Sequence, residues 1–543
     1  MQQTELKQRS SFTPDFVAVL IAIAPFATVY LAHFFSWNGD PTGFIHEDMP
    51  YYVANGREIF ERGNGFAYAN PYDPSPNAPV IYFHWLILLL GIGTQKLGLE
   101  PGAMFVALGA MGGLAMSWLT LKLVQRVLPR TEYARELFVA TMWGGGFLCF
   151  GQFIMNLRSG AAPGENLLAF DPGNGLWFLN WGRNLVFPTE AVYHALVAAC
   201  WLSELKGKHW LAIFFGALLA ATHPWSGLEV IGTLAAYWAL RMLFDTTQTC
   251  TRYFIASLAC VAAFLWYNMV YLPSFAQHAA LQETWKLAWR LEPISIALAW
   301  LPIACLTYIR VVRDRKTVGW NEAFLALAFG VAFSLSIHDR FMRPTQPLHF
   351  TRGYVFMPLV LLSLPLIQDA VLAVRQRVGV GVFAFAGVFA VGVLSFDNAV
   401  FLSAQVNKQQ RNDAAYFLTD SERDVLNWIR ENNLESVALS ENANLGYLSA
   451  TYTALRPYVG HFYNTPHRTI REEQRQAFFN SNGALETEWL NSIECVIAST
   501  ETADRLVADG AWKPVYRNQE LCVLTTAGNA KVADQPANAS NKQ

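Results

Sequence analysis

Residues 15–37, DFVAVLIAIAPFATVYLAHFFSW, decide the fold class of this chain. An α-helix needs about 20 consecutive apolar residues to cross the hydrocarbon core of a bilayer, and this run is long enough. It is too long for the apolar core of a signal peptide and has no small-residue cleavage site before its end. The run therefore predicts a retained membrane anchor, preceded by a short N-terminus that carries Lys7 and Arg9.

The composition extends this prediction to most of the chain. Hydrophobic residues make up 53% of the 543 residues and charged residues only 15%, whereas about a quarter of the residues in a soluble domain are charged. The formal net charge is −2, and the sequence has no basic tract that would suit nucleic acid. We predict a multi-pass α-helical membrane protein with one additional soluble domain and no nucleic-acid partner.

Eleven apolar runs are predicted to be transmembrane helices: 14–36, 101–121, 135–155, 188–206, 209–223, 226–244, 252–272, 292–310, 320–338, 351–373 and 378–397. A further run, 79–97, decides the orientation of everything after it. If this run does not cross, the basic clusters of the later loops, the first of which lies at residues 122–135, are all on the cytoplasmic side with the N-terminus. The positive-inside rule favours this arrangement. We therefore predict eleven spans in the plasma (inner) membrane, a cytoplasmic N-terminus and a periplasmic or extracellular C-terminal domain.

Two adjacent acids follow the first span, in the segment HEDMPYY at residues 46–52. Carboxylates are costly in hydrocarbon, so a pair held at the membrane surface is by default functional. Asp48 or Glu47 could deprotonate an acceptor hydroxyl that lies within hydrogen-bond reach. Asp48 also directly precedes a helical pattern over Met49–Glu61 with Pro50 in its first turn, which is typical of a helix N-cap. The two roles are compatible, and the residues leave both open.

An acidic pair in the first external loop, followed by an aromatic-rich amphipathic helix, resembles the GT-C glycosyltransferases. Protein O-mannosyltransferases and lipid A aminoarabinose transferases belong to this group. The resemblance is closest at Glu47 and Asp48 and looser over the spans. It implies a GT-C-like fold with about eleven transmembrane helices and juxtamembrane helices in the first external loop. It also implies inverting transfer of a sugar from a polyprenyl-phosphate donor, with Asp48 as base and Glu47 as its partner or as a metal ligand.

Such a donor changes which catalytic groups are needed. A phosphate is already a good leaving group, so the transferase needs one base and a positive charge, whereas a glycosidase also needs an acid. Few basic residues are predicted on the external side; Arg340, Arg343 and Arg352 cluster there, and arginine suits phosphate oxygens. Arg352 is the first choice because it begins an apolar span. The alternatives are snorkelling of Arg352 to lipid headgroups and ordinary loop charges at the other two.

Four further residues are candidates to orient donor or acceptor. His338 and Asp339 end a predicted span, where a polar helix cap is the alternative. His223 lies in a tight turn before Pro224. His461 lies in a loop of the soluble domain that could reach the membrane domain, with a solvated surface position as the alternative.

No metal is predicted, and no cofactor is required. Glu47, Asp48 and an acid from another loop, such as Asp171 or Glu165, could supply oxygen ligands to a divalent cation, but nothing in the spacing demands one. The predicted partners are a polyprenyl-phosphate-linked sugar donor, the lipid bilayer, and an acceptor that is a protein, a lipid or a polysaccharide.

The composition becomes that of a globular domain near residue 403. We predict a transmembrane glycosyltransferase domain over 1–402 with its first external loop at 37–100, an external α/β domain over 403–527 and a disordered tail over 528–543. Within the α/β domain, Ser421 and Asp424 suggest a capping box that opens a helix over 422–432. Another helix is predicted over 465–480, and strands over 436–440, 495–499 and 521–525. Cys495 and Cys522 lie in two of these strands and could form a disulfide in an oxidising compartment.

Two other classes of function compete with a glycosyltransferase. A transporter or lipid flippase would hold charged or broken-helix sites near the bilayer midplane in repeat-related pairs, but the sequence shows no internal repeat and its acids lie at a membrane edge. A lipid-linked polysaccharide ligase would favour basic residues and a histidine in a large external loop over an acidic pair.

Overall fold

The computed structural model describes residues 2–36, 39–173, 175, 179–244, 248–284, 290–314, 318–344, 346–409, 416–481, 488–508 and 510–526. The tail predicted over 528–543 lies outside these residues. The chain forms two compact units, which we call the helical unit and the mixed unit. The helical unit comprises Met1–Ala32, Ala107–Val270 and Lys286–Lys408, and the mixed unit His33–Val106, Tyr271–Trp285 and Gln409–Gln543. The first external loop therefore belongs to the same unit as the C-terminal α/β domain.

The helical unit consists mainly of apolar helices. Its α-helices are Gln2–Phe34, Pro101–Val127, Ala134–Trp143, Leu148–Ser159, Pro188–Leu205, His209–Ala220, Pro224–Phe244, Gln248–Leu265, Pro293–Arg313, Trp320–Ser336, Phe356–Arg377, Val380–Leu394 and Phe396–Lys408. A π-helix at Trp266–Tyr271 and 3-10 turns at Gly182–Leu185, His338–Arg340 and Pro347–Phe350 complete it. These elements confirm the multi-pass α-helical fold class.

Each of the eleven predicted spans coincides with a helix or a bent helix pair, but not all of these are equally suited to crossing a membrane. Six helices among the described residues are long and apolar enough: Phe12–Phe34, Pro101–Val127, Pro224–Phe244, Gln248–Ser274, Pro293–Arg313 and Phe356–Arg377. Two bent pairs raise the number to eight at most. The other three predicted spans fall on Pro188–Leu205, which contains two acids, and on the shorter helices His209–Ala220 and Trp320–Ser336. The total of eleven stays a prediction.

The ambiguous run at 79–97 contains only a short helix. An α-helix covers Trp85–Gly91 and a π-helix continues it over Ile92–Lys96. At a rise of about 1.5 Å per residue, such a helix is roughly 18 Å long, well short of the about 30 Å of a bilayer core. This length agrees with the prediction that the segment does not cross.

A sharp bend between two helices is held by a carboxylate from a distant part of the helical unit. Ala134–Trp143 and Leu148–Ser159 form a pair bent by 56°. The carboxylate of Asp397 accepts hydrogen bonds from the backbone N–H groups of Leu148 (2.8 Å) and Cys149 (2.9 Å). These are donors that the start of a helix leaves without an intrahelical partner, and Asp397 supplies acceptors where apolar surroundings cannot.

The neighbouring residue, Asn398, serves the other side of the same bend. Its amide donates to the carbonyl oxygen of Trp143 at 2.7 Å, the end of the first helix. Its side-chain oxygen accepts from Nε of Arg183 at 2.8 Å, and the same buried guanidinium pairs with Asp171. One dipeptide thus satisfies both ends of a broken helix, so the bend is built into the fold.

We expect Asn398→Ala to lower the free energy of unfolding by about 2 kcal/mol or more, because a buried carbonyl and a buried guanidinium N–H each lose a partner at about 1–3 kcal/mol. Thermal unfolding of the purified protein in detergent measures this. Asn407→Ala, at an exposed position of the same helix, is the matched control and should leave the transition unchanged. Equal stability of the two variants would show that Asn398 does not hold the bend.

The mixed unit combines short helices with a small sheet. Its α-helices are Met49–Glu61, Trp85–Gly91, Ala276–Thr284, Asp420–Glu431, Ala443–Tyr452, Arg468–Asn480 and Thr500–Ala508. Five strands form one sheet in the order Arg456–Pro457, Val437–Ser440, Cys495–Ser499, Leu521–Thr526 and Trp512–Arg517. The first three are parallel and the remaining pairings antiparallel. This confirms the small C-terminal α/β fold.

Two details of the predicted α/β domain are wrong. The helix at Asp420–Glu431 is opened by Thr419, whose hydroxyl accepts from the Glu422 N–H while the Glu422 carboxylate accepts from the Thr419 N–H. The capping box therefore begins two residues before Ser421. Cys495 pairs in register with Thr525, and Cys522 with Ala498; both cysteines are free thiols, because adjacent strands hold them at non-opposed positions.

The first external loop is joined to the α/β domain by backbone pairing. The two-residue strand Asp40–Pro41 pairs antiparallel with Phe417–Leu418. Thr42 continues the contact, since its N–H and its hydroxyl both donate to the Tyr416 carbonyl oxygen, at 2.9 and 3.0 Å. A second pair of short strands, Ala67–Tyr68 and Tyr82–Phe83, closes the loop on itself. The segment that carries the acidic pair thus has fixed ends.

Candidate active site

Asp48 stands at the predicted helix start, but its carboxylate does not cap the helix. The helix covers Met49–Glu61, as predicted, with Pro50 in its first turn. Asp48 occupies the N-cap position with φ −81° and ψ −12°, and it makes no side-chain cap hydrogen bond. Its backbone N–H donates to Nδ1 of His46 at 3.2 Å. The capping alternative is therefore wrong for this carboxylate.

The carboxylate of Asp48 instead contacts His461. Nε2 of His461 lies 3.0 Å from Oδ1 of Asp48, and the exposed fractions of the two side chains are 5% and 42%. The predicted alternative, a solvated surface position for His461, is wrong. The sequence placed both residues among its candidates but had no means of pairing them, because they are 413 positions apart.

The partners of the other ring nitrogen fix the proton on this histidine. Nδ1 of His461 accepts the backbone N–H of Tyr463 at 3.2 Å, and the Asn464 side-chain nitrogen lies 2.9 Å away. A backbone N–H can only donate, so Nδ1 presents a lone pair and the ring proton sits on Nε2. His461 is thus a neutral imidazole that donates its Nε2–H to Asp48.

Aromatic rings surround this histidine. The ring centroids of Tyr51, Tyr447 and Tyr72 lie 4.8, 5.6 and 6.0 Å from that of His461. Gly460 permits the approach, because a Cβ atom there would overlap the Tyr72 ring. Burial, with a further contribution from the Asp48 charge, raises the pKa of Tyr51 to about 12, although Asn55 opposes the shift. These phenols therefore stay protonated at neutral pH and add no charge to the site.

A single phenol holds the backbone on both sides of Asp48. The hydroxyl of Tyr447 donates to the carbonyl oxygen of Glu47 at 2.6 Å and accepts the N–H of Tyr51 at 3.0 Å. Thr451, one turn further along the same helix, donates to the Pro50 carbonyl oxygen at 3.1 Å. Glu47 itself is exposed. The helix Ala443–Tyr452 therefore fixes the backbone of the acidic pair.

We expect Tyr447→Phe to loosen residues 47–51, because the substitution removes both hydrogen bonds of the hydroxyl while keeping the ring. The loss should be about 1–2 kcal/mol, visible as faster hydrogen exchange at the Tyr51 amide than in the parent protein. Tyr516→Phe, which removes a partly exposed phenol elsewhere in the same unit, is the control. Unchanged protection of Tyr51 in Tyr447→Phe would contradict the assignment.

Arg352, the first choice for the phosphate, lies in the helical unit and is 2% exposed. Its guanidinium pairs with Glu190, donates from Nε to the His349 carbonyl oxygen at 3.1 Å, and lies 2.6 Å from Nδ1 of His349. The predicted alternative, snorkelling to lipid headgroups, is therefore wrong. The arginine is a buried cation with a fixed orientation.

The backbone at Arg352 is strained. Arg352 has φ +23°, in a region that non-glycine residues rarely adopt, and Gly353 has φ +77°. The carbonyl oxygen of Arg352 lies 2.6 Å from Nε2 of the buried His194. Strained positions persist where surrounding contacts hold them and are enriched at functional sites, so this turn is a candidate functional position.

The other predicted phosphate ligands are placed differently. Arg340 is about half exposed and donates to the Leu291 carbonyl oxygen at 2.8 Å; Arg343 is exposed. Both positions suit the loop charges given as their alternative. His338 donates to the Leu335 carbonyl oxygen at 2.6 Å, and the buried Asp339 carboxylate lies 3.5 Å from Arg290, which suits the polar cap.

His223 has a structural position in the helical unit. Its Nδ1 accepts the backbone N–H of Ser226 at 3.2 Å at the start of Pro224–Phe244. Its ring stacks on Tyr193, with centroids 4.7 Å apart. The tight turn predicted before Pro224 is thus a capped helix start.

The acids considered as metal ligands lie among the residues that the structure describes. In the described ranges, no three or more His, Cys, Asp or Glu side chains are placed to hold a metal ion. Glu165 and Asp171 belong to the helical unit, where Asp171 pairs with Arg183.

Sequence reasoning missed two residues that matter at these sites. Tyr447 lies in a helix with no recognisable motif, and nothing in its surroundings marks it. Glu190 lies in the first turn of a mostly apolar helix, and an acid in such a position is a signal for a buried cationic partner.

Comparisons with known proteins give structural likenesses only. No family model matches the chain, and no curated protein matches. It is similar to ArnT from Cupriavidus metallidurans bound to undecaprenyl phosphate, with 13% identity, a TM-score of 0.47, and coverage of 95% of this chain and 99% of that one. For the same ArnT in the apo state, the values are 12%, 0.43, 94% and 98%.

A third similar structure is the oligosaccharyltransferase of Archaeoglobus fulgidus in complex with Zn and sulfate. It shares 12% identity at a TM-score of 0.40, with 91% of this chain and 71% of that chain covered. At these identities and TM-scores the likenesses assign no activity, so function is inferred from the residues themselves.

Proposed function

We propose that this protein is an integral-membrane inverting glycosyltransferase. It moves a sugar from a polyprenyl-phosphate donor to an acceptor on the external face of the plasma membrane, with Asp48 as general base. The observation that carries the proposal is the state of the Asp48 carboxylate: it is 42% exposed, makes no cap bond, and is oriented by a neutral histidine. The apolar helices and the resemblance of the acidic loop support the choice of a lipid-linked donor.

The proposed reaction balances with these two substrates alone. The acceptor oxygen attacks the anomeric carbon and forms the new C–O bond, while the bond from that carbon to the phosphate oxygen breaks. The phosphate keeps the electron pair and leaves as polyprenyl phosphate. The acceptor's proton passes to the carboxylate of Asp48. Attack opposite to the leaving group inverts the anomeric carbon.

We propose Arg352 as a phosphate-binding cation from its own surroundings in the helical unit, where it is buried and oriented. A buried, oriented cation stabilises developing charge better than a mobile surface one, since it needs no reorganisation during the reaction. Its present acceptors are Glu190 and His349. A phosphate group that binds here would have to share Arg352 with these acceptors or replace them. A doubly charged phosphate monoester competes for the guanidinium better than an anion of lower charge.

One observation favours a transporter as the second candidate. Two helix pairs are bent, by 56° and 53°, and broken helices are typical of transporter binding sites. At the first bend, however, the helix ends are occupied by Asp397 and Asn398 of the chain itself. The backbone groups bonded to these two side chains are not available to a substrate at the first bend, so the glycosyltransferase is preferred; a lipid-linked polysaccharide ligase is the related third candidate.

We expect Asp48→Asn to lower turnover by roughly 10²–10⁴-fold, the usual contribution of a general base, without changing the thermal unfolding of the protein. Donor consumption is measured with a panel of undecaprenyl-phosphate-linked hexoses and pentoses, in membranes that lack the native protein but contain the acceptor. Glu47→Gln is the matched neighbour and should reduce turnover far less. Full activity of Asp48→Asn would remove Asp48 as the base.

The role of Arg352 needs a charge-balanced variant, because Arg352→Ala alone would leave Glu190 buried without its partner at a cost of about 3–5 kcal/mol. We expect Glu190→Gln with Arg352→Gln to weaken binding of undecaprenyl phosphate about tenfold or more relative to Glu190→Gln alone, since a hydrogen bond to a charged group contributes about 1.5–3 kcal/mol. Arg377→Gln, at the far end of the next helix, is the control. Equal affinity of the double variant and of Glu190→Gln alone would exclude Arg352 from the phosphate site.

A further inference from the structure

Because Asp48 and His461 are in contact, either side chain is a candidate to accept the proton of the acceptor hydroxyl. A histidine beside a carboxylate often acts as the base itself, with the carboxylate behind it. Here the ring is reversed: Nε2 carries the hydrogen and points to Oδ1 of Asp48 at 3.0 Å, while Nδ1 faces the N–H of Tyr463 and the amide nitrogen of Asn464. Neither nitrogen has a lone pair available to a substrate.

The partners of Nδ1 hold the ring in this orientation. The backbone N–H of Tyr463, 3.2 Å from Nδ1, can only donate and so occupies the lone pair of that nitrogen. The ring is 5% exposed and packed among Tyr51, Tyr72 and Tyr447. His461 therefore neither takes up the proton of the acceptor nor passes it on.

We propose that His461 is a positioning residue of the α/β domain, which holds one oxygen of Asp48 so that the other receives the acceptor's proton. This inference rests on the proposed function. The hydrogen bond restricts the torsion of the Asp48 carboxylate, whose side chain is 42% exposed and whose Oδ2 lies 3.5 Å from Nδ1 of His46, and Tyr447 holds the backbone on both sides of it. A base displaced by about 1 Å can lose about 10²-fold in rate, so orientation is the effect to measure.

Two substitutions separate the hydrogen bond from packing. His461→Phe keeps a ring among the tyrosines but has no donor. His461→Gln has an amide N–H in place of Nε2–H. Both lose the Nδ1 acceptor, so any general loss of stability is shared, and thermal unfolding of the two variants measures it. His467→Gln, an exposed histidine of the same unit, is the control.

We expect kcat of His461→Phe to fall about 10–100-fold, with KM for the undecaprenyl-phosphate sugar within twofold of the parent value and with His461→Gln recovering most of the loss. Equal losses in the two variants would assign His461 to packing, and a raised KM at constant kcat would assign it to substrate binding. Unchanged turnover in His461→Phe would also overturn the inference.

A double variant distinguishes failure of this inference from failure of the proposed function. If His461 acts only through Asp48, adding His461→Phe to Asp48→Asn should change the residual rate by less than about twofold; multiplicative losses would show an independent role. If Asp48→Asn is fully active, the proposed base itself is wrong. If only His461→Phe is silent, the base stands and the positioning role falls.

A spectroscopic readout needs no substrate. In the full chain with ¹⁵N-labelled histidine, the signal of His461, identified by its loss in His461→Gln, should report a neutral ring with its proton on Nε2. Asp48→Asn should shift that Nε2–H resonance because the proton loses a charged acceptor. A proton on Nδ1, or no response to Asp48→Asn, would overturn the inference.

Discussion

Polar atoms buried in this protein must find their partners within the chain, because apolar surroundings provide no water to satisfy them. This constraint explains the arrangement of both units better than any single apolar contact. In the helical unit it joins Asp397 and Asn398 to a broken helix and Arg352 to Glu190. In the mixed unit it joins the Tyr447 hydroxyl to the backbone around the acidic pair. Each of these partnerships links segments that are distant in sequence.

The same constraint separates what the sequence could predict from what it could not. Apolar runs and the start of Met49–Glu61 depend on local composition, so they were predicted at or near their observed positions. The partners of Asp48 and Arg352 depend on which distant segments meet, and a single sequence has no signal for this. The capping box of the α/β domain was misplaced by two residues although the sequence carried its signal: Thr419 with Glu422 fits the S/T-x-x-E pattern, whereas Ser421 is followed by Asp424.

The candidate base, Asp48, and the candidate phosphate-binding cation, Arg352, differ in their surroundings. Asp48 keeps a partly exposed carboxylate, so its surroundings restrict its direction more than its access to solvent. Arg352 is enclosed, strained in its backbone and already neutralised. Under the proposed function, a base needs access to the acceptor hydroxyl, whereas a phosphate-binding cation needs a fixed direction. Access at one residue and rigidity at the other suit these different tasks.

The distance of 413 positions between Asp48 and His461 has a consequence for biosynthesis. Ribosomes make the acidic loop early, and the chain enters the membrane with Asp48 in place but without the imidazole that orients it. Only when nearly all of the polypeptide has been translated and the last domain has closed on the loop does the carboxylate acquire its partner. A nascent or truncated chain that lacks residue 461 therefore has Asp48 without this hydrogen bond.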